Sequence, residues 1–170
     1  MSNNYEFFEG ILRLSIPSAV NPVEAEYIHN IVLKYKPKNI IETGSGKSSL
    51  AILFALREND NEGRLHSIDL PNLKLGQRAL DCNKNIINKL WRDVLRIFPQ
   101  WDIREKDICK ELPILLNEVS CVDMFFHDSL HTEEHIFFEW NLLMASNKLV
   151  KGGLFGMHDR CFKVYANFVK

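Results

Sequence analysis

Two short segments near the C-terminal end of the chain are rich in ionisable residues. The first is His127-Asp128-Ser129-Leu130-His131, which follows an apolar run, and the second is His158-Asp159. If both segments follow parallel strands, their side chains meet at the same edge of a sheet. Asp128, His158 and Asp159 would then offer oxygen and nitrogen ligands to a hard divalent cation such as Mg²⁺. This spacing predicts a metal site.

His131 also allows a second interpretation of the same cluster. A neutral imidazole titrates near physiological pH, so it can take a proton from a hydroxyl group, with Asp128 orienting it. Two plainer interpretations stay open. A histidine at a strand end is often a half-buried, hydrogen-bonded residue, and Asp128 can cap the helix predicted to begin near Thr132.

A glycine-containing turn follows the first predicted strand, with the sequence Glu42-Thr43-Gly44-Ser45-Gly46-Lys47-Ser48. Glycines let the backbone approach a ligand closely, and the following helix presents its N-terminus there. A phosphate-binding P-loop is disfavoured because Ile41 stands where its first glycine is required. A dinucleotide fingerprint is weakened by Ser49 in place of its third glycine. An E-x-G-x-G cofactor loop and a plain tight turn remain.

Two further acidic residues follow predicted strands. Asp69 ends the second strand, where a carboxylate can accept hydrogen bonds from both ribose hydroxyls of a nucleoside. Asp107 follows the third strand, where it could reach an adenine amino group or cap the next helix. A solvent-exposed Asp before a proline turn is the plainer interpretation of Asp69.

The elements that must position these residues alternate between strand and helix. A capped helix starts at Asn21-Pro22-Val23-Glu24 and ends before Pro37. Strands are predicted at 39–43, 64–69, 101–106, 122–126 and 154–157, and helices at 48–57, 79–97, 113–119 and 132–146. Such alternation predicts an α/β fold with a mainly parallel sheet of about five strands, reached by right-handed crossovers.

Length and composition narrow the class of protein. The 170 residues fit one domain, which we divide into an N-terminal segment and helix (1–38) and a ligand-binding part (39–170). The net charge of −1 and the absence of a basic cluster disfavour a nucleic-acid partner. Four scattered cysteines, no signal peptide and no long apolar run predict a cytoplasmic protein without a membrane anchor.

From about Asn39 to Asn167 the chain resembles the class I methyltransferases that use S-adenosylmethionine (SAM), especially the cephalosporin-hydroxylase-like and macrolide-sugar O-methyltransferase-like branch. The resemblance rests on Glu42–Ser48, Asp128–His131 and Gly152–Asp159. It implies a Rossmann-like three-layer α/β/α sandwich. It also implies the following roles: Gly44, Ser45 and Gly46 at the methionine portion of SAM, within a loop that includes Glu42 and Ser48; Asp69 at the ribose; Asp107 at the adenine; Asp128 and Asp159 as metal ligands; and His131 as general base.

Two features depart from this family. His158 stands where metal-dependent members commonly carry an acidic residue, which weakens the prediction of Mg²⁺. The chain ends at Lys170, before the final antiparallel strand pair of class I methyltransferases. We therefore expect that pair to be missing and a homodimer to cover the sheet edge.

The resemblance predicts transfer of a methyl group from SAM to a small-molecule hydroxyl. The alternative is a catalytically inactive relative that binds SAM or acts as an interaction module. An NAD-dependent enzyme is a weaker possibility because of Ser49.

Overall fold

A computed structural model describes residues 20–60, 62–70 and 96–158 of the chain. Within these ranges helices and strands alternate as predicted, except between β2 and β3, where most of the connecting segment lies outside the described residues. The elements are α1 (Pro22–Tyr35), β1 (Asn39–Thr43), α2 (Lys47–Glu58), β2 (Arg64–Asp69), β3 (Trp101–Glu105), α3 (Ile108–Glu118), β4 (Val122–His127), α4 (Glu133–Ala145) and β5 (Leu149–Met157).

The five strands form one sheet in the order β3-β2-β1-β4-β5. Every pair of neighbouring strands within it is parallel. The chain moves outward from β1 to β3 and then returns to the other side of β1 with β4. The switch point of the sheet therefore lies between β1 and β4, where the carboxyl ends of such strands leave a crevice.

Alternate residues of the central strands pack against two separate layers of helices. On one face, Ile40, Met124 and Phe126 belong to a core shared with α1 and α2. On the other face, Ile41 and Phe125 belong to a core that includes residues of α3 and α4. The predicted three-layer α/β/α sandwich is therefore confirmed. Helix α1, from the predicted N-terminal segment, contributes Ala25, Ile28 and Val32 to the first core.

The predicted start of α3 is wrong. Helix α3 begins at Ile108, five residues before the predicted start at Pro113, and Pro113 lies inside it. Asp107 is the N-cap, since its side chain accepts a hydrogen bond from the Cys109 N–H at 2.9 Å. Pro113 is the sixth residue of α3, an interior position where proline lacks the N–H that would bond to the Cys109 carbonyl, so it does not mark the first residue of this helix.

Strand β5 starts earlier than predicted, at Leu149 rather than Leu154. A register shift opposite Val122–Met124 accommodates Gly152, whose φ of 81° favours glycine. Most of the helix predicted at 79–97 lies outside the described residues. Asp159 and the residues that follow it also lie outside them, so the prediction about the final strand pair is not tested. Among the described helices, none has the length and apolar character needed to span a membrane.

Candidate functional site

The carboxyl ends of β1, β2, β4 and β5 bring most of the predicted site residues to one edge of the sheet. Thr43 at the end of β1 pairs with Ile68 on β2 and with His127 on β4. His127 in turn pairs with Met157 on β5. The turns that follow these strands are therefore neighbours, as the predicted convergence requires.

The turn after β1 passes very close to the turn after β4. Gly44 has a φ of 89°, and a Cβ at this position would overlap the backbone carbonyl of Asp128. Its N–H donates a 2.8 Å hydrogen bond to the Ile68 carbonyl on β2. Gly44 is therefore required by the close packing of the two turns, because only glycine fits both the positive φ and the short distance to the Asp128 backbone.

Gly46 lies in different surroundings from Gly44. A Cβ built on Gly46 meets no atom of the described residues within 4 Å, so none of them fills the space beside this part of the turn. Gly46 is also the N-cap of α2, where the helix presents unpaired N–H groups. A ligand can approach the turn at Gly46, and a polar or anionic group would be favoured there.

Glu42 lies beneath this turn and is completely buried. Its Oε1 accepts a hydrogen bond from the Ser48 hydroxyl at 2.6 Å. Its Oε2 accepts hydrogen bonds from the hydroxyls of Ser49 at 2.6 Å and Ser67 at 2.8 Å. Burial raises the pKa of Glu42 to about 7, although the three hydroxyl groups partly oppose the shift. Glu42 and the equally buried Ser48 therefore hold the loop in place from within rather than forming its exposed surface.

Asp69 joins the end of β2 to the same turn. Its Oδ2 accepts a 2.5 Å hydrogen bond from the Ser45 hydroxyl, and its Oδ1 accepts one from the Leu70 N–H at 2.7 Å. Burial raises the pKa of this carboxyl, and nearby Glu105 adds to the shift. Asp69 is thus held beside the glycine turn, as the predicted ribose site requires. Asp107 is exposed after β3 and caps α3.

Asp128 and His158, two of the predicted metal ligands, lie together, and His131 lies beside them. Asp128 Oδ1 lies 3.0 Å from His158 Nδ1 and 3.7 Å from His131 Nε2. Ligand atoms of these three half-buried residues all lie within 4.8 Å of one another. The third predicted metal ligand, Asp159, lies outside the described ranges, so its place stays a prediction.

Behind this cluster lies a buried network that the sequence analysis missed. Glu139 on α4 and His127 at the end of β4 are both fully buried, with His127 Nδ1 2.8 Å from Glu139 Oε2. Glu139 also accepts 2.8 Å hydrogen bonds from the hydroxyls of Thr43 and Ser129. His135 Nε2 lies 2.9 Å from its Oε1. The carboxylate thus ties α4 to β1, to β4 and to the turn that carries Asp128 and His131.

A signal for Glu139 was present in the sequence. It lies three residues after Ile136 and four before Leu143, both of which are buried on α4. A lone acidic residue on the apolar stripe of a helix needs a buried partner.

A cavity of about 510 Å³ opens at the opposite, amino edge of the sheet. Its lining includes Lys38, Arg64, His66 and Glu118. His66 is already engaged by Asp102 at 3.0 Å. Ligands of parallel α/β sheets bind at the carboxyl ends of the strands, where the glycine turn lies, so we place the functional site at that edge.

Comparisons with known proteins agree with this geometry. Residues 41–160 match the model of a family described as a methyltransferase domain. A search of curated proteins found no match.

Solved structures share the fold. A methyltransferase from Podospora anserina with bound S-adenosylhomocysteine (SAH) has a TM-score of 0.63 at 16% identity, covering 89% of this chain and 59% of that one. A putative caffeoyl-CoA O-methyltransferase from Staphylococcus aureus has a TM-score of 0.61 at 18% identity, covering 88% of this chain and 63% of that one. An O-methyltransferase from Bacillus cereus in complex with SAH has a TM-score of 0.57 at 18% identity, covering 81% and 61%. This chain thus spans about three-fifths of the length of these structures.

Proposed function

Because this chain belongs to the methyltransferase domain family, we propose that it transfers the methyl group of SAM to a hydroxyl group of a small molecule. The proposal rests on the position of three features at one edge of the sheet. An open glycine turn, a carboxylate at the end of the next strand and a histidine–aspartate cluster share one edge of the sheet. The first two features suit a nucleoside-containing cofactor, and the third suits an acceptor that must lose a proton.

SAM would lie across the ends of β1 and β2. Its methionine portion would contact the turn at Gly46, where no atom of the described residues fills the space beside the backbone. Its ribose hydroxyls would donate hydrogen bonds to Asp69, which Ser45 holds beside that turn. Asp107 would lie at the adenine side, beyond the end of β3. This placement follows the order of the strand ends, β1, β2 and β3, along the sheet.

In the proposed chemical step, the protein positions the acceptor and removes its proton. The sulfonium of SAM makes its methyl group a good electrophile, and the protein must align an acceptor oxygen with it. His131 would take the proton from the acceptor hydroxyl while the oxygen attacks the methyl carbon. SAH leaves with the electron pair of the broken carbon–sulfur bond. Asp128, 3.7 Å from His131 Nε2, would stabilise the imidazolium that forms.

The described residues at this cluster do not fit Mg²⁺. A hard cation of this kind prefers six oxygen ligands, including water, in octahedral geometry. The cluster offers two imidazole nitrogens and one carboxylate. The proposed transfer therefore involves no magnesium ion.

The proposal is tested by transfer of a radiolabelled methyl group from SAM to a panel of phenols, catechols and sugars. For an acceptor found in this way, we expect His131→Gln to lower kcat by roughly 10²- to 10⁴-fold, the usual contribution of a general base. SAH affinity should be unchanged. His29→Gln is the matched control, because His29 lies on α1 and contacts Glu58 instead.

Two results would contradict the proposal. Unchanged transfer in His131→Gln would remove the base assignment. Tight SAH binding without transfer to any acceptor would favour the inactive, SAM-binding alternative.

A further inference from the structure

The buried carboxylate of Glu139 connects the glycine turn with the turn that carries the proposed base, residues 128–132, which we call the base turn. Its Oε2 accepts a 2.8 Å hydrogen bond from the hydroxyl of Thr43, which precedes the glycine turn. Its Oε1 accepts a 2.8 Å hydrogen bond from the hydroxyl of Ser129 in the base turn. On the basis of the proposed methyl transfer, in which His131 is the base, we propose that Glu139 is a positioning residue that holds His131 in place relative to the glycine turn.

Glu139 places a charge where the interior of a protein usually has an apolar side chain. It is fully buried on the side of α4 that also carries Ile136 and Leu143. Burial acts to raise its pKa, but hydrogen bonds from His127 and His135 outweigh this effect and bring the pKa to about 2. A well-packed apolar side chain avoids the cost of burying a charge, so stability alone does not favour a carboxylate here. An ionised carboxylate adds short, strong hydrogen bonds that fix the geometry of their donors.

One route from Glu139 to His131 runs along the base turn. Both ends of this turn are fixed, because the Asp128 N–H donates a 2.8 Å hydrogen bond to the end of β1 and Thr132 caps α4. Between these ends, the hydroxyl of Ser129 is bound to Glu139. Loss of that hydroxyl would therefore loosen the segment next to His131 while both ends stay attached.

A second route runs through His127 at the end of β4. Its Nδ1 lies 2.8 Å from Glu139 Oε2, and its Nε2 has no hydrogen-bond partner among the described residues, so Glu139 is the polar group that orients this ring. The ring centroids of His127 and His131 are 5.6 Å apart, with an angle of 73° between the ring planes. His127 is fully buried in a closely packed interior, so its ring restricts the movement of His131 on one side. Glu139 thus restrains His131 both along the chain and through space.

These restraints would fix the position of the base relative to the acceptor. A general base must lie within hydrogen-bond reach of the group that it deprotonates, about 2.6–3.2 Å between heavy atoms. A misplacement of about 1 Å can cost roughly 100-fold in rate. Positioning by Glu139 should therefore affect kcat, whereas the binding of SAM and of the acceptor should stay the same.

Ser129→Ala tests the first route without relying on any reaction. The substitution removes the hydroxyl and leaves the other contacts of Glu139 in place. We expect the order parameters of the amides at 129–132, measured by ¹⁵N relaxation on the full chain, to fall from about 0.85 toward the value of about 0.6 that marks flexible backbone. Ser146→Ala is the matched control and should leave these amides unchanged, because its hydroxyl donates a 2.6 Å hydrogen bond to the Leu143 carbonyl at the other end of α4.

Kinetics with an acceptor found in the transfer assay test the functional consequence. Ser129→Ala should lower kcat by roughly 10- to 100-fold, with the KM of the acceptor and the Kd of SAH unchanged. A purely structural role would not separate kcat from KM in this way. Ser129→Thr retains the hydroxyl and should recover most of kcat, and Ser146→Ala should have the kcat of the native chain.

Glu139→Gln tests the carboxylate itself. Its fold is checked by circular dichroism at the assay temperature, because removing one partner of a buried ion pair destabilises the chain. We expect kcat to fall at least as far as in Ser129→Ala. In the double variant the loss should be smaller than the product of the two single losses, because both changes act on the same hydrogen bond. Losses that simply multiply would mean that Ser129 acts independently of Glu139 and would contradict the proposal.

Two further results would overturn it. They are base-turn amides in Ser129→Ala that are as ordered as in the native chain, and a kcat in Ser129→Ala that equals the native value. Failure of the proposed function would look different. The native chain itself would then transfer no methyl group, while the order parameters would still report whether Glu139 holds the base turn.

Discussion

Glu42 and Glu139 are both fully buried carboxyl groups, yet their surroundings shift their pKa values in opposite directions. Glu42 has only hydroxyl partners, and burial raises its pKa from 4.5 to about 7. Burial also acts to raise the pKa of Glu139, but hydrogen bonds from His127 and His135 outweigh it and bring the pKa to about 2. The difference follows from the partners, since histidines can supply the compensating positive charge that hydroxyl groups lack.

The raised pKa of Glu42 predicts a specific loss of stability with pH. Its favourable contribution is fully present below pH 4.5 and is lost as the pH rises through about 7. The difference of 2.5 pKa units corresponds to about 3 kcal/mol. We expect the free energy of unfolding of Glu42→Gln to gain about this much relative to the native chain between pH 4.5 and pH 8. Urea titrations at several pH values measure it, with exposed Glu134→Gln as control. A difference independent of pH would contradict the pKa assignment.

The lowered pKa of Glu139 predicts the opposite dependence. Its contribution is present above pH 4.5 and is lost as the pH falls through about 2. At pH 7, Glu139→Gln should destabilise the chain by about 3–5 kcal/mol, the usual cost of removing one partner of a buried ion pair. This penalty should shrink in acid unfolding experiments below pH 4.5. A loss under about 1 kcal/mol at pH 7 would mean that the network contributes little to stability.

At the level of helices and strands, the sequence correctly predicted features that depend on interactions between neighbouring residues. The capping box at Asn21 and Glu24, the buried strand at 39–43 and the glycine turn after it all formed where the sequence placed them. The class I methyltransferase family is likewise confirmed, by the match over residues 41–160. These features depend on neighbouring residues, which the sequence displays directly.

The sequence patterns did not predict features that depend on contacts between residues far apart in the chain. The partnership of Glu139 with Thr43 joins residues 96 positions apart, and no periodicity reveals which strand a helix will face. The same holds for Glu24 and His158, which lie 134 positions apart. Proline is common as the first residue of a helix and therefore predicts a start at Pro113, whereas the capping hydrogen bond of Asp107 fixes the start of α3 at Ile108.

Asp107 offers a test at this scale because its two assigned roles can be separated. Serine is an equally good N-cap, so Asp107→Ser should keep the stability of α3, whereas Asp107→Ala should lose about 1 kcal/mol. If Asp107 also contacts adenine, both variants should bind SAH more weakly than the native chain, which calorimetry measures. Equal SAH affinity in Asp107→Ser and the native chain would restrict this residue to capping.

At the scale of the whole molecule, the site depends on elements from both ends of the described chain. Glu24 on α1 contacts His158 just after β5, while β1 and β4 lie between them at the centre of the sheet. The chain spans about three-fifths of the structures it resembles, 59% and 63% for two of them.

We expect the carboxyl edge of the sheet to bind the methyl donor, and calorimetric titration with SAH measures this binding. The native chain should bind SAH at a single site. Asp69→Asn should weaken binding about tenfold or more, because it removes charged acceptors for the ribose. Gly46→Val should lose SAH binding, because its side chain fills space in which no described atom lies within 4 Å of the Cβ. Its fold is checked by circular dichroism, because valine is a poorer N-cap for α2 than glycine. The surface variant Glu26→Gln should bind as the native chain does. If the native chain bound no SAH, or if both site variants bound it unchanged, the cofactor site could not lie at this edge of the sheet.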